Sequence, residues 1–295
     1  MKRKAFLVAL VLCIVCSFWG SSHAVVLDFL DNVLAPPGFY TVGYYNFYTA
    51  PDLKDDDGHN LKTASGKDLD LTLHQFMLRP VYYGKTGCAL WALNAIIPIG
   101  QVEARNYTTG RSESSGGIGD IAFGPAIFLF QHEKSGTALS FWEFVSAPTG
   151  SFKKSRAREY GTNYGLGYWY LQHQLAFATS FFEKSPLSYD MNVNYYMKLN
   201  GNDQKPADSM EVEGILGYGI TPAIRVGIYG TYFWDLKKGE DVNGFDILKK
   251  KAFSAGPSIA YGTEKWGLNL RWVHDFDVKN GPKGDYIFLK ASYAF

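Results

Sequence analysis

The sequence is poor in cysteine, in long apolar runs and in net charge, and each shortage removes a class of protein. Only three cysteines occur among 295 residues. Lys2, Arg3 and Lys4 precede an apolar run from Ala5 to Trp19, and Ser22-His23-Ala24 supplies a small-x-small cleavage site, so residues 1–24 read as a secretory signal peptide. Cys13 and Cys16 would leave with it. Cys88 alone then remains, no internal disulfide is available, and the exported chain must be held by backbone pairing and burial. The apolar run falls short of the roughly 18 residues of a spanning helix, and no comparable run follows it. A helical membrane protein is thereby excluded. The net charge of +1 includes three basic residues that belong to the signal, so the remainder is slightly acidic and nothing attracts nucleic acid.

Aromatic side chains, by contrast, make up 16% of the residues. Such content suits rings seated at both surfaces of a membrane, although a carbohydrate-binding β-sandwich would share it. The last eleven residues favour the membrane. From Asp285 to Phe295 the chain alternates in two-residue steps, with Ile287, Leu289, Ala291, Tyr293 and Phe295 on one face and Tyr286, Phe288, Lys290, Ser292 and Ala294 on the other. A closing strand that ends on Phe295, with Tyr293 two residues before it, also resembles the signal read by the bacterial barrel-assembly machinery. The alternative is an amphipathic edge strand of a soluble β-protein.

Twelve extended segments are expected, at roughly 39–50, 68–83, 88–98, 118–132, 137–147, 164–182, 188–199, 209–221, 224–236, 250–262, 266–278 and 285–295. Each is near or above the roughly 9–11 residues that cross a bilayer as a tilted strand. Segment 164–182 is long enough to be one projecting strand or two. The connections alternate between short turns, such as Thr221-Pro222-Ala223, and long polar loops at 51–67, 99–117, 148–163, 200–208, 237–249 and 279–284. Outer-membrane barrels have this asymmetry, with turns in the periplasm, loops outside and both ends of an even-stranded chain on the periplasmic side.

Side-chain parity orients the wall. In 188–199 the residues Asp190, Asn192, Asn194, Tyr196 and Lys198 share one face; Arg225, Tyr229 and Phe233 do so in the next hairpin, and Asn269, Arg271 and Asp275 near the end. A Lys or Arg facing mid-bilayer lipid costs about 2–4 kcal/mol, so these faces are expected to look into the lumen, together with Glu211, Glu213, Phe76, Tyr286, Phe288 and Lys290. In 68–83 Arg79 falls on the otherwise apolar face, which calls for a bulge or snorkelling. The inward charges either pair and fill the lumen or, with the inward rings, suit aromatic solutes, with Arg225 and Arg271 orienting any acidic group.

Other constellations carry less. The acidic run Asp52 to Gly58 lacks calcium-loop spacing, because Leu53 and Ala64 occupy the terminal ligand positions. Gly116-Gly117-x-Gly119 precedes a strand, not a phosphate-cradling helix. No catalytic residue, metal or cofactor is expected: His274 has lipid-facing parity, its nearest serine, Ser254, has the opposite parity, and His74 and His173 lack a serine and carboxylate companion. Residues 25–38, ending at Pro36-Pro37-Gly38, are read as a plug in the lumen in preference to a periplasmic tail, and 39–295 as the barrel.

Several landmarks taken in order resemble the outer-membrane family named for the meta-cleavage pathway of phenol degradation. They are Ala35-Pro36-Pro37-Gly38 before the aromatic strand Phe39 to Tyr48, an acidic loop ending at Gly58, Ser146-Ala147-Pro148-Thr149-Gly150-Ser151-Phe152, and the strand Tyr189 to Tyr196 with its inward asparagines. The family is similar to fatty-acid and aromatic-hydrocarbon channels. The resemblance implies passive uptake of small hydrophobic or aromatic compounds through a plugged barrel, in contact with outer-membrane lipid and lipopolysaccharide. A trait of those relatives, a polar glutamine, is replaced here by Trp234. The alternatives are an envelope or adhesion barrel that transports nothing, and an enzyme acting on membrane lipid.

Overall fold

Alternating apolar and polar residues, rich in rings and β-branched side chains, suit a pleated wall with two different solvents on its faces. The computed structural model describes residues 27–29, 32, 35–64, 66–106, 108–132, 136–159, 161–180, 186–263 and 265–295. The expected signal peptide lies outside them. Strands β1 (Gly38–Lys54), β2 (Leu71–Thr86), β3 (Ala89–Arg105) and β4, in two pieces (Ser112–Ile118 and Ile121–His132), begin the wall. It continues through β5 (Thr137–Ala147), β6 (Tyr170–Ser180), β7 (Leu187–Lys198) and β8 (Ser209–Gly219). The last four are β9 (Ile224–Asp235), β10 (Lys251–Gly262), β11 (Trp266–Lys279) and β12 (Gly281–Ala294). Each pairs antiparallel with the next, and β12 returns to pair with β1 from Tyr40↔Ala294 to Lys54↔Gly281. The result is a closed twelve-stranded barrel. Closure satisfies the backbone groups of every strand within the wall, which a hydrocarbon surrounding requires.

The two faces differ as lipid and lumen demand. Ile228, Leu270, Trp272 and Ile287 are exposed on the outer surface, whereas Tyr229, Arg271, Val273 and Phe288 between them are buried inside. The parity expected for the carboxy-terminal half is therefore observed. In β2 it is reversed. Phe76 faces outward and is 46% exposed, while Leu71, Leu73, Met77 and Val81 turn inward, and with them Arg79. The correction has a simple cause: this part of the lumen is filled by apolar side chains, so hydropathy does not separate the two faces and only the charge of Arg79 does.

Two expected boundaries also move. Most of the loop expected at 99–117 is strand: β3 and the first piece of β4 pair from Ile99↔Ile118 to Arg105↔Ser112 and project as a hairpin beyond the membrane. The segment expected at 164–182 contains the single strand β6, and residues 161–169 before it are irregular. They belong to the long connection after β5, which carries helix α1 (Lys154–Arg158). Tyr164, Leu166 and Tyr168 of this connection are buried.

Candidate functional site

The lumen is divided between a stretch of the chain and a cavity. Leu27 and Asp28 are buried on the β8 to β12 side. Arg271 donates from Nη2 to the Leu27 carbonyl, and Lys290 forms an ion pair with Asp28 at 3.3 Å. The ring of Phe29 lies against Gly217 and Gly227, where an added Cβ would come within 2.6 Å of it. Further in, the Asn32 amide donates to the carbonyls of Phe177 (3.1 Å) and Met191 (3.2 Å) and to the side chain of Asn192 (2.9 Å).

Several of the expected inward residues support this arrangement. The Arg271 guanidinium stands 4.1 Å from the Tyr229 ring centroid and 5.2 Å from that of Phe288. Glu213 accepts from Tyr229 (2.9 Å) and Asn192 (2.8 Å), and Glu211 from Tyr196 (2.7 Å) and Thr231 (3.1 Å). The ammonium groups of Lys198 and Lys250 stand 5.9 and 5.4 Å from the Phe233 ring centroid. Arg225 is at the periplasmic edge, donating to Ser188 (2.8 Å) and the Pro186 carbonyl (3.2 Å). Tyr293 and Phe295 pack with Trp266 and Phe39 in the girdle at the same end.

The cavity, about 150 Å³, occupies the other side, against β1 to β7. Asn192, Asn194 and Tyr196 line it, as do Tyr44, Gln75, Arg79, Tyr83, Trp142, Phe144, Gln172 and Gln174; Arg225, Arg271, Lys290, Tyr229, Phe233 and Phe288 do not. Arg79 is the guanidinium in this space. It donates to Asn94 (3.2 Å) and Tyr44 (3.5 Å) and lies 5.1 Å from the Trp142 and 5.9 Å from the Phe144 ring centroids. Its misplacement at the sequence level followed from the reversed parity of β2. The charge itself was the available signal, since a face carrying Arg belongs inside.

The outer end of the cavity is covered by the connection after β5. Tyr164 and Leu166 line its roof, and Tyr164 accepts a hydrogen bond from Gln75 (3.1 Å). Asp120, at the break in β4, accepts from the backbone amides of Gly150 (2.8 Å) and Leu166 (2.7 Å), which fastens this connection across the lumen.

No nucleophile and base are brought together at the positions considered. Ser254 faces inward and bonds Asp275, whereas His274 faces outward and bonds Asp285 (3.0 Å). His173 pairs with Glu143 (2.6 Å) and His74 with Tyr45 (2.8 Å), both on the outer face.

A closed wall, lipid-exposed rings, short turns at one end and long connections at the other define an outer-membrane β-barrel, and its lumen holds a small mixed aromatic and amide cavity. Residues 51–291 match the family described as the putative MetA-pathway of phenol degradation, and the chain belongs to that family. No curated protein matches it. Among solved structures, an outer-membrane channel from Pseudomonas putida F1 is 18% identical, with a TM-score of 0.79 over 91% of this chain and 100% of that one. The β-domain of the Bordetella autotransporter BrkA is 8% identical, with a TM-score of 0.52 over 88% of this chain and 100% of that one. The transport unit of the Escherichia coli autotransporter AIDA-I is 9% identical, with a TM-score of 0.52 over 94% and 96%. These likenesses establish the fold.

Proposed function

We propose that the barrel is a channel for passive uptake of small aromatic compounds, with the cavity as its solute site and Leu27, Asp28, Phe29 and Asn32 of the amino-terminal segment as the plug that closes the route beyond it. The observation that carries this reading is the cavity wall: ring faces of Trp142 and Phe144 beside the Arg79 guanidinium, with amides opposite. A volume near 150 Å³ equals that of an engineered apolar cavity that holds benzene. Rings supply apolar contact, the amides receive a hydroxyl, and Arg79 orients a carboxylate or phenolate by charge-assisted hydrogen bonds. The family's link to phenol degradation agrees with this solute class. Arg79 here takes the role that parity alone gave to Arg225 and Arg271.

Uptake of labelled benzoate and toluene into proteoliposomes tests the assignment. Trp142→Ala is expected to slow both, while Arg79→Gln slows benzoate by about tenfold and leaves toluene close to wild type, the loss of one charge-assisted contact. Equal rates in wild type and both variants would refute the solute site and favour a barrel whose function lies in its loops.

A further inference from the structure

On the extracellular rim, Lys251 of β10 and Lys279 of β11 are register partners. Both point away from the lumen: Lys251 also stands opposite the lipid-side Trp234, and an irregularity in the pairing, with Phe276 and Asp277 both exposed, brings Lys279 to the outer face. Like charges directly opposite on a sheet repel and destabilise the pairing. Neither ammonium forms an ion pair among the described residues. Asp277 shares their face one residue pair lower, opposite Phe253, without closing on either. Lys283 of β12 brings a third ammonium to the same edge, its Nζ donating to the Phe276 carbonyl at 2.9 Å.

Rings lie directly beneath. Phe253 and Phe276 pack with centroids 6.0 Å apart, and Trp234 packs with Tyr232 at 5.3 Å. Rings below and ammonium groups above match the order of an acylated, phosphorylated headgroup met from its acyl side. We infer that this face holds a phosphate of the lipid A moiety of lipopolysaccharide, seated between Lys251 and Lys279. A doubly charged phosphate there replaces an ammonium repulsion with two charge-assisted hydrogen bonds, while the acyl chains cover the rings.

The test uses full-length mature protein refolded in detergent without lipid, titrated in native mass spectrometry with bisphosphorylated lipid A and with dephosphorylated lipid A of the same acyl composition. Wild type is expected to prefer the phosphorylated form by about tenfold or more, and Lys251→Gln with Lys279→Gln to abolish the preference. Lys205→Gln with Lys238→Gln, whose ammonium groups are already paired with Glu240 and Asp246, leaves it unchanged. Lys279→Glu gives Lys251 an internal partner, so it is expected to raise the melting temperature of the lipid-free barrel while losing the preference. Heat-modifiable migration confirms that each variant is folded. Equal binding of the two lipids by wild type, or an unchanged preference in either Lys279 variant, overturns the inference.

Discussion

Releasing the amino-terminal segment from the lumen wall is the most direct perturbation of a closed lumen. In Asn32→Ala, two amide donors that reach carbonyls at 3.1 and 3.2 Å and Asn192 at 2.9 Å are lost, at about 1 kcal/mol net for each donor. In Asp28→Ala, a 3.3 Å ion pair between side chains each 9% exposed is broken. Removing one partner of a buried pair costs about 3–5 kcal/mol, and the lower end applies because Lys290 keeps further interactions. Together the substitutions weaken docking by about 5 kcal/mol, or more than three decades in the docked to undocked ratio. The assay is labelling of Leu27→Cys in a Cys88→Ser background by a membrane-impermeant thiol reagent, because Leu27 is 1% exposed when docked. Its rate follows the undocked fraction, so an increase of more than about a thousandfold is expected, with a parallel gain of single-channel conductance. A change below about tenfold would show that these contacts do not hold the segment in place.

Two further outcomes follow from the loops. An alanine Cβ at Gly165 would lie 2.6 Å from the Gly150 carbonyl carbon, so Gly165→Ala is expected to lift the connection from Asp120, raise conductance and cost about 1–3 kcal/mol; unchanged conductance and melting would count against that connection as the outer cover. The hydrogen bond from Lys154 and then the charges of Lys154 and Arg158 hold Asp203 below the ordinary carboxylate value. A depressed carboxyl contributes stability above its unfolded value and loses it as pH falls through its folded one. Hydrogen exchange at 153–162 should therefore be faster in Asp203→Asn than in wild type at neutral pH, and the two should converge in strong acid; coincidence at neutral pH would remove Asp203 as a tie on α1.

The fold was readable wherever a strand carried charge on one face only. Arg271 orients its strand without ambiguity, because turning it outward buries an ion in hydrocarbon, whereas Lys198 and Arg225, near the ends of their strands, carry a weaker form of the same signal. Where the lumen is itself apolar, as at Leu71, Leu73 and Met77, the two faces look alike and β2 was read inside out. Strand length was underestimated beyond the membrane, since Gln101, Glu103 and the Ser- and Gly-rich run 112–117 give the hairpin a polar outer face that reads as loop, although Val102 and Ala104 remain buried on its inner side. The cavity was only partly legible for a related reason. Asn192, Asn194 and Tyr196 were found by parity, but the roof at Tyr164 and Leu166 arises from a loop folding back, which no local period records.

The seam between β1 and β12 joins the two ends of almost the entire polypeptide. That pairing is the most non-local in the molecule, and non-local contacts are slow to form. Until the final residues are made, every partly built wall presents two unsatisfied edges open to intermolecular pairing. Sealing the ring removes both edges in a single step, so the finished barrel offers no open strand to a neighbouring chain.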